Sequence, residues 1–268
     1  MGVTKNLVLG GSGAIGSALC QHLISKNETV INLDIKEGFD LRTESLLDYK
    51  NVDYVWFLAW DVGGAKYLNV KKNQLGILRN NTLICQNVFS FLEETGIPFL
   101  FTSSQLAADD NTYGMTKLLG EYWAKLLKDG QIARFWNVYG WETPGERSHV
   151  IPDLVMQAIT KKEISLFTSG EEKRQFIYME DCVRNLYLAR EKKMKNIHLT
   201  NGEWIKIKDI ALMIGNLFNV PVHFGIEKGY EKKIDPDSSH ADFKWETSIE
   251  KGIQMIAKEA RNYLNIKI

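Results

Sequence analysis

The sequence predicts an α/β fold, a doubly wound parallel sheet with a small C-terminal α/β subdomain. Three observations carry that prediction. An apolar run, Leu7 to Leu9, feeds a glycine loop in which Gly10, Gly13 and Gly16 stand three residues apart, and an amphipathic stretch follows from Ala18 to Ile24. A second apolar run, Thr29 to Leu33, ends in an acid, Asp34, 18 residues past Gly16. Strand and helix signals then alternate with short connections, which requires right-handed crossovers and helices on both faces of the sheet.

The first element pair reads as the strand–turn–helix entrance of a dinucleotide-binding, Rossmann-type domain. The glycines let the backbone turn tightly and approach a pyrophosphate, whose charge rests on the free N–H groups of the helix start. Ala14 and Ile15 complete the loop. Asp34, at the tip of the second strand, can accept both ribose hydroxyls of an adenosine and repels a 2′-phosphate. NAD is therefore expected rather than NADP. Further strands are predicted at Tyr54–Leu58, Phe99–Thr102, Ile132–Asn137 and Ile197–Leu199, and helices at Gly13–Ser25, Gln74–Thr95, Tyr113–Leu127 and Asp181–Lys192. Gly96 and Pro98 stop the helix at 74–95. After Asn137 the pattern loosens, and residues 139–175 and 200–268 hold four of the five prolines. The expected organisation is a Rossmann domain from 1–138 and 176–200, interleaved with a substrate subdomain from 139–175 and 201–268. The subdomain is expected to cover the C-terminal edge of the sheet, where ligands of such folds bind.

Composition excludes several function classes. The 268 residues are 44% hydrophobic and 25% charged with zero net charge, so neither nucleic acid nor an anionic membrane is expected as a partner. No apolar run approaches membrane-spanning length and no signal peptide is recognised, which makes a cytoplasmic location the expectation. Cys20, Cys85 and Cys182 are scattered in helix-like apolar contexts without metal spacing. They read as buried free thiols, and no metal site is expected.

Tyr113 and Lys117 place a phenol and an ammonium four apart, on one face of a helix. Tyr67 and Lys71 share that spacing, but Tyr67 is expected in a loop after the preceding strand, and only Tyr113 follows, by nine residues, a hydroxyl cluster, Thr102-Ser103-Ser104, at the end of an apolar strand. A serine hydroxyl, a phenol and an ammonium beside a nicotinamide form a proton-transfer site for a carbinol. Half-ionising a tyrosine near pH 7 requires roughly 4 kcal/mol. An ammonium about 4 Å away supplies on the order of 4 kcal/mol at an effective dielectric near 20. Lys117 is thus expected to hold Tyr113 near its working pKa and to bind the nicotinamide ribose.

These residues, with Asp40-Leu41, Leu58-Ala59, Asn81, Arg134-Phe-Trp-Asn137-Val-Tyr-Gly140, Arg174-Gln-Phe-Ile-Tyr178 and Thr247-Ser-Ile-Glu-Lys-Gly252, resemble the extended short-chain dehydrogenase/reductase family. That group comprises nucleotide-sugar epimerases, dehydratases and reductases, and the resemblance covers essentially the whole chain. It implies that Asp40 and Leu41 touch adenine, that Leu58 and Ala59 line the nicotinamide ribose pocket, and that Asn81 sits near the cofactor. Ser104 would bond the reacting oxygen, with Ser103 the fallback, and Tyr113 would move the proton. Asn137 would bind the substrate diphosphate, and Arg174 the phosphates or nucleoside. The helices at 74–95 and 113–127 would pair in a homodimer.

Two segments, Ala59-Trp-Asp-Val62-Gly63-Gly64 and Ser148-His149-Val150-Ile151-Pro152, resemble stretches of GDP-fucose synthase-like enzymes. There the second stretch carries a histidine acid whose partner is a cysteine just after the catalytic serine. The corresponding position here is Leu106, so a double epimerisation is not expected. His149 keeps a narrower role, as a single acid or a hydrogen-bond donor to a sugar hydroxyl. Dehydratases of the family place an acid directly after the catalytic Ser/Thr; here Gln105 stands there and cannot act as a base. His22, His198, His223 and His240 have no motif around them and read as surface or packing residues. The expected function is an NAD-dependent nucleotide-sugar epimerase acting through a transient 4-keto sugar. The alternatives are an NAD(P)H-dependent 4-keto-sugar nucleotide reductase and a non-catalytic dinucleotide-sensing protein. The last is expected to lack the Tyr or the Lys, and both are present.

Overall fold

The computed structural model describes residues 2–107, 109–231 and 242–266; His240 lies outside them. In chain order the elements are β1 (Lys5–Leu9), α1 (Ala14–Ser25), β2 (Thr29–Leu33), β3 (Tyr54–Phe57), α2 (Ala65–Leu68), α3 (Gln74–Thr95), β4 (Phe99–Ser104), α4 (Thr112–Leu126), β5 (Gly130–Phe135) and β6 (Asn137–Tyr139). They continue with α5 (Val150–Lys161), β7 (Ile164–Ser165), β8 (Lys173–Tyr178), α6 (Met179–Glu191), β9 (Asn196–Leu199), β10 (Trp204–Lys206), α7 (Ile207–Phe218), β11 (Val222–His223) and α8 (Ile249–Tyr263). The chain forms two compact units: one from residues 1–62, 67–135 and 183–199, the other from 63–66, 136–182 and 200–268.

The first unit is built on a six-stranded sheet in the order β2-β1-β3-β4-β5-β9, every pair parallel. Strands of such a sheet are buried on both faces and read as continuous apolar runs. Leu7, Val8 and Leu9 in β1, Val55, Trp56 and Phe57 in β3, and Leu100 and Phe101 in β4 are all fully buried. Phe89 of α3 lies edge-on to Phe57 and Phe101, at 5.3 and 5.6 Å between ring centres. This helix ends where Gly96 takes a φ of 64° and its N–H returns to the Leu92 carbonyl. Strand order reverses between β1 and β3, so the crevice that such sheets offer to ligands opens at Leu9–Gly10 and Leu58–Ala59.

Three local expectations change. The strand predicted over Ile132–Asn137 is two strands. β5 stops at Phe135, whose carbonyl accepts from Gln105 N, and Asn137 pairs with Phe176 in a different sheet. Phe135 and Trp136 are both β-prone, so no turn residue at the junction marks this. Tyr67 lies in the short helix α2 rather than a loop, and its hydroxyl donates to Asp61 at 2.9 Å. Cys85 and Cys182 are buried free thiols, whereas Cys20 is only half-buried on α1.

The second unit holds a three-stranded sheet, β10-β8-β6, and a two-stranded one, β11-β7. Ile151, Leu154 and Val155 of α5, Ile210 and Ile214 of α7, and Ile253 and Ile256 of α8 form its core with Phe176 and Tyr178. Ser248 caps α8 by accepting from Lys251 N, and Tyr139 Oη donates to the Ser248 carbonyl. Among the described residues no helix is long and apolar enough to cross a membrane, and no three metal-ligating side chains converge.

A buried ion pair locks α6 onto the first sheet. Arg190 donates to both Glu28 oxygens at 2.6 and 2.7 Å and to Asn6 Oδ1 at 3.0 Å, and Trp56 Nε1 also donates to Asn6 Oδ1. Burial opposes the Glu28 charge, but the bonds from Arg190, Asn6 and Tyr187 outweigh it and hold the carboxyl at about 2. Arg190→Met leaves that carboxylate buried and unpaired, so a loss of about 3–5 kcal/mol is expected in urea unfolding at pH 7. Glu28 is depressed from 4.5, so its contribution is present above that pH and is lost as pH falls toward 2. The difference between variant and wild type should shrink over the same range.

Candidate active site

The glycine loop has the shape its sequence implies. Gly10 has a φ of 90°, and a Cβ there would lie 2.7 Å from Ala59 N. A Cβ on Gly16 would collide with the Gly10 carbonyl. Gly13 precedes α1 with extended backbone and no side-chain cap. The first N–H groups of α1, from Ala14, Ile15 and Gly16, therefore have no intrahelical acceptor and point out of the helix end. Leu58 N and Ala59 N both donate to the Leu9 carbonyl, at 2.9 and 2.8 Å, which sets the second wall of the crevice. Asp34 is buried; one carboxylate oxygen accepts from Ser12 N at 3.0 Å and the other from Lys36 N at 2.9 Å. Each oxygen retains a lone pair. A cradle closed to side chains, free helix N–H groups and a fixed carboxylate suit an adenine dinucleotide without a 2′-phosphate. Asp40, by contrast, is clamped by Arg42 at 2.7 Å, which holds its carboxyl below the usual range.

Ser103 and Ser104 separate cleanly. Ser103 Oγ donates to Glu121 at 2.6 Å beneath α4, and Arg134 of β5 donates to both Glu121 oxygens at 2.6 Å. Ser104 Oγ accepts from Leu106 N at 3.1 Å and is hydrogen-bonded to the Tyr113 phenol. Lys117 Nζ is buried, donates to the Thr102 carbonyl at 2.6 Å and lies 4.1 Å from the centre of the Trp60 ring, 5.0 Å from Phe101 and 5.9 Å from Tyr113. Asn81 commits its amide to the backbone N–H and carbonyl of Asp61 and to Thr116 Oγ1, bracketing α3, α4 and the loop after β3.

The electrostatics correct an expectation. Burial pushes Tyr113 up to about 12, against the hydrogen bond with Ser104 that favours its phenolate. Burial also pushes Lys117 down to about 7, against the attraction of Cys85 and Glu121. The ammonium therefore does not bring the phenol's pKa down to the working range, because desolvation opposes both charges.

In the second unit, Asn137 Nδ2 donates to the Gln175 carbonyl at 2.9 Å on the strand that carries Arg174. Arg174 is half-buried and lies 5.8 Å from the Tyr230 ring. His149, immediately before α5, is half-exposed; its backbone N–H and Nδ1 both bond Glu142. Burial works against the imidazolium, but Glu142, with Asp153, outweighs it and raises the ring above the ordinary histidine range. The two stretches singled out in the sequence meet here: Gly64 N donates to the Arg147 carbonyl, and a Cβ on Gly64 would strike the Ser148 carbonyl. Glu121, Trp60 and Glu142 were not anticipated. Glu121 follows Lys117 by one helical turn and could have been found from that spacing; Glu142 has no periodic relation to His149.

The family model described as the NAD dependent epimerase/dehydratase family matches residues 6–201. The chain belongs to that family. It is thus an NAD-dependent enzyme of the extended short-chain dehydrogenase/reductase class. It is 22% identical over 256 residues to UDP-glucuronic acid decarboxylase 1 of Xenopus tropicalis, covering 79% of this chain and 59% of that enzyme. It is 27% identical over 198 residues to UDP-2-acetamido-2,6-beta-L-arabino-hexul-4-ose reductase of Pseudomonas aeruginosa, covering 72% of this chain and 51% of the reductase. The chain thus spans under two thirds of the length of either enzyme. The crystal structure of UDP-glucuronic acid 4-epimerase from Bacillus cereus, solved with UDP-glucuronic acid and NAD, superposes with a TM-score of 0.83 at 22% identity. That match covers 97% of this chain and all of the epimerase.

The two serines make distinct predictions. Ser103→Ala removes a donor from a buried carboxylate and is expected to cost about 1–3 kcal/mol of stability. Ser104→Ala is expected to leave the unfolding midpoint almost unmoved and to lower turnover by roughly 100-fold. Denaturant unfolding alongside initial rates separates them.

Proposed function

We propose that this chain is a nucleotide-sugar epimerase that inverts a sugar carbinol through a transient 4-keto sugar. The observation that carries the reading is the set of groups around Ser104. Ser104, Tyr113 and Lys117 are gathered there, while the two side chains that follow Ser104 are Gln105 and Leu106, with neither a carboxyl nor a thiol. That set can move a proton on one hydroxyl and has no base for an adjacent carbon, which favours chemistry confined to C4.

Bound NAD supplies the hydride acceptor and donor for C4. Tyr113, as phenolate, takes the hydroxyl proton and returns it to the alkoxide, while Ser104 holds the reacting oxygen. Lys117 offers charge and N–H groups to the nicotinamide ribose. Burial holds the phenol near 12, and the same burial magnifies the effect of any positive charge brought beside it. Asp40, Leu41, Leu58, Ala59 and Asn81 line the cofactor side. The first unit takes the dinucleotide and the second the nucleoside diphosphate, through Asn137 and Arg174.

A reductase reading draws on His149. Its contact with Glu142 favours the imidazolium, the form suited to donating to a sugar oxygen in a single NADH-driven reduction of a 4-keto sugar. The assembly we propose is a homodimer through α3 and α4. These helices expose Leu75, Leu78 and Leu83, and Met115, Leu119, Tyr122 and Leu126, apolar side chains that a partner copy would cover. Free thiols on α1, α3 and α6 fit a cytoplasmic location.

Incubation with UDP-, GDP- and dTDP-hexoses deuterated at C4 tests the reaction. The expected result is inversion at C4 with the deuterium retained and no net change in NADH absorbance. Stoichiometric NADH consumption with a 4-keto substrate establishes the reductase instead. Tyr113→Phe is expected to reduce turnover at least 100-fold with NAD affinity unchanged by calorimetry, and Tyr67→Phe to change turnover little. Leu126→Glu combined with Leu75→Glu should convert a dimer to monomers in sedimentation velocity; a wild-type monomer at micromolar concentration removes the assembly.

A further inference from the structure

Lys117 Nζ sits among three rings rather than opposite a carboxylate. The Trp60 face is nearest, with Phe101 and Tyr113 beyond it, and the Thr102 carbonyl takes one of its protons. The ionisable groups that face it are Cys85 from α3 and Tyr113 and Glu121 from α4. Glu121 is already committed to Arg134 and Ser103. The close partners of the cation are therefore one carbonyl and one indole face.

Trp60 is held in place for that contact. The residue before it is fixed through Ala59 N to the Leu9 carbonyl at 2.8 Å. The residue after it is fixed at both backbone groups by Asn81, which also reaches Thr116, the neighbour of Lys117. Trp60 Nε1 is buried and finds no acceptor among the described residues. A buried indole N–H ordinarily has a partner. Here the ring keeps an orientation that serves its face and leaves its edge unpaired.

We propose that Trp60 is a positioning residue: its indole face holds the Lys117 ammonium, as a cation, against the Thr102 carbonyl, the place from which it acts on Tyr113. The inference rests on Lys117 and Tyr113 being the proton-handling pair. An ammonium over an indole gains electrostatically from the ring quadrupole, and more so when desolvated. Burial drives the ammonium toward neutrality, and the ring opposes that drive.

The test is a pH titration of the Lys117 side-chain resonance in protein labelled with 13C-lysine, the signal assigned by its absence in Lys117→Met. Wild type, Trp60→Phe and Trp60→Leu are compared. The expected midpoint falls by about one unit in Trp60→Leu and by less in Trp60→Phe. The alkaline limb of the pH–rate profile moves down by the same amounts, with KM for the sugar nucleotide unchanged. A midpoint identical in all three proteins, with only the unfolding temperature lowered, makes Trp60 a packing residue and overturns the proposal. Where Trp60→Leu does not fold, phenylalanine and trifluorophenylalanine at position 60 provide the comparison at nearly constant shape, and the fluorinated ring must give the lower midpoint. A resonance that shifts as expected while the pH–rate profile stays fixed preserves the contact but removes Lys117 from the proton-handling pair, and the proposed action on Tyr113 falls with it.

Discussion

The Glu121 carboxylate sets the geometry of the catalytic candidates. It is fully buried, yet three short bonds from Ser103 and Arg134 reach it from two adjacent strands. A carboxylate in that position is tolerable only when its oxygens are saturated, so α4 has one rotation and one height against β4 and β5 that satisfies it. Tyr113 and Lys117 lie two turns and one turn before Glu121 on the same helix, and their positions follow. The consecutive hydroxyls of β4 then divide by strand alternation: one faces inward to the carboxylate, the other meets the phenol.

Much of the first unit was legible because its signals are local. The Gly10–Gly16 loop, the run ending in Asp34, the 74–95 helix with its glycine stop, and the Tyr113 helix each carry their own period and terminators. The break at Trp136 was invisible because Phe135, Trp136, Val138 and Tyr139 are all β-prone, while the switch of sheet is decided by the distant strand β8. Ser104 was placed ahead of Ser103 by the resemblance alone, since a one-residue register decides which faces α4. The second unit was legible only as a region. Its short strands pair with partners far along the chain, and the Glu142–His149 contact bridges a loop without a repeat.

Electrostatics was the least readable layer. A Coulomb estimate at a stated distance and dielectric gave an ammonium able to ionise a phenol. The folded chain instead shows both groups desolvated and both nearer neutrality than in water. Charge–charge distance alone cannot anticipate this, because desolvation depends on neighbours contributed by β3, β4 and α3. Such a site carries its charges at a cost to stability, and positive charge brought by a ligand changes both groups together. The chemistry and the fold thus place opposite demands on the same two side chains.

The interleaving of the two units has a consequence for how the chain is made. Strand β9, which closes the edge of β5, lies beyond residues 136–195, an interval that encodes β6, α5, β7 and β8 of the second unit. At ordinary translation rates the interval takes on the order of several seconds. During that time β5 is an open edge with unpaired backbone groups, next to strands that are apolar on both faces. A nascent chain of this protein therefore presents an adhesive sheet margin before its final strand exists. Shielding by the ribosome surface or a chaperone matters most in that interval.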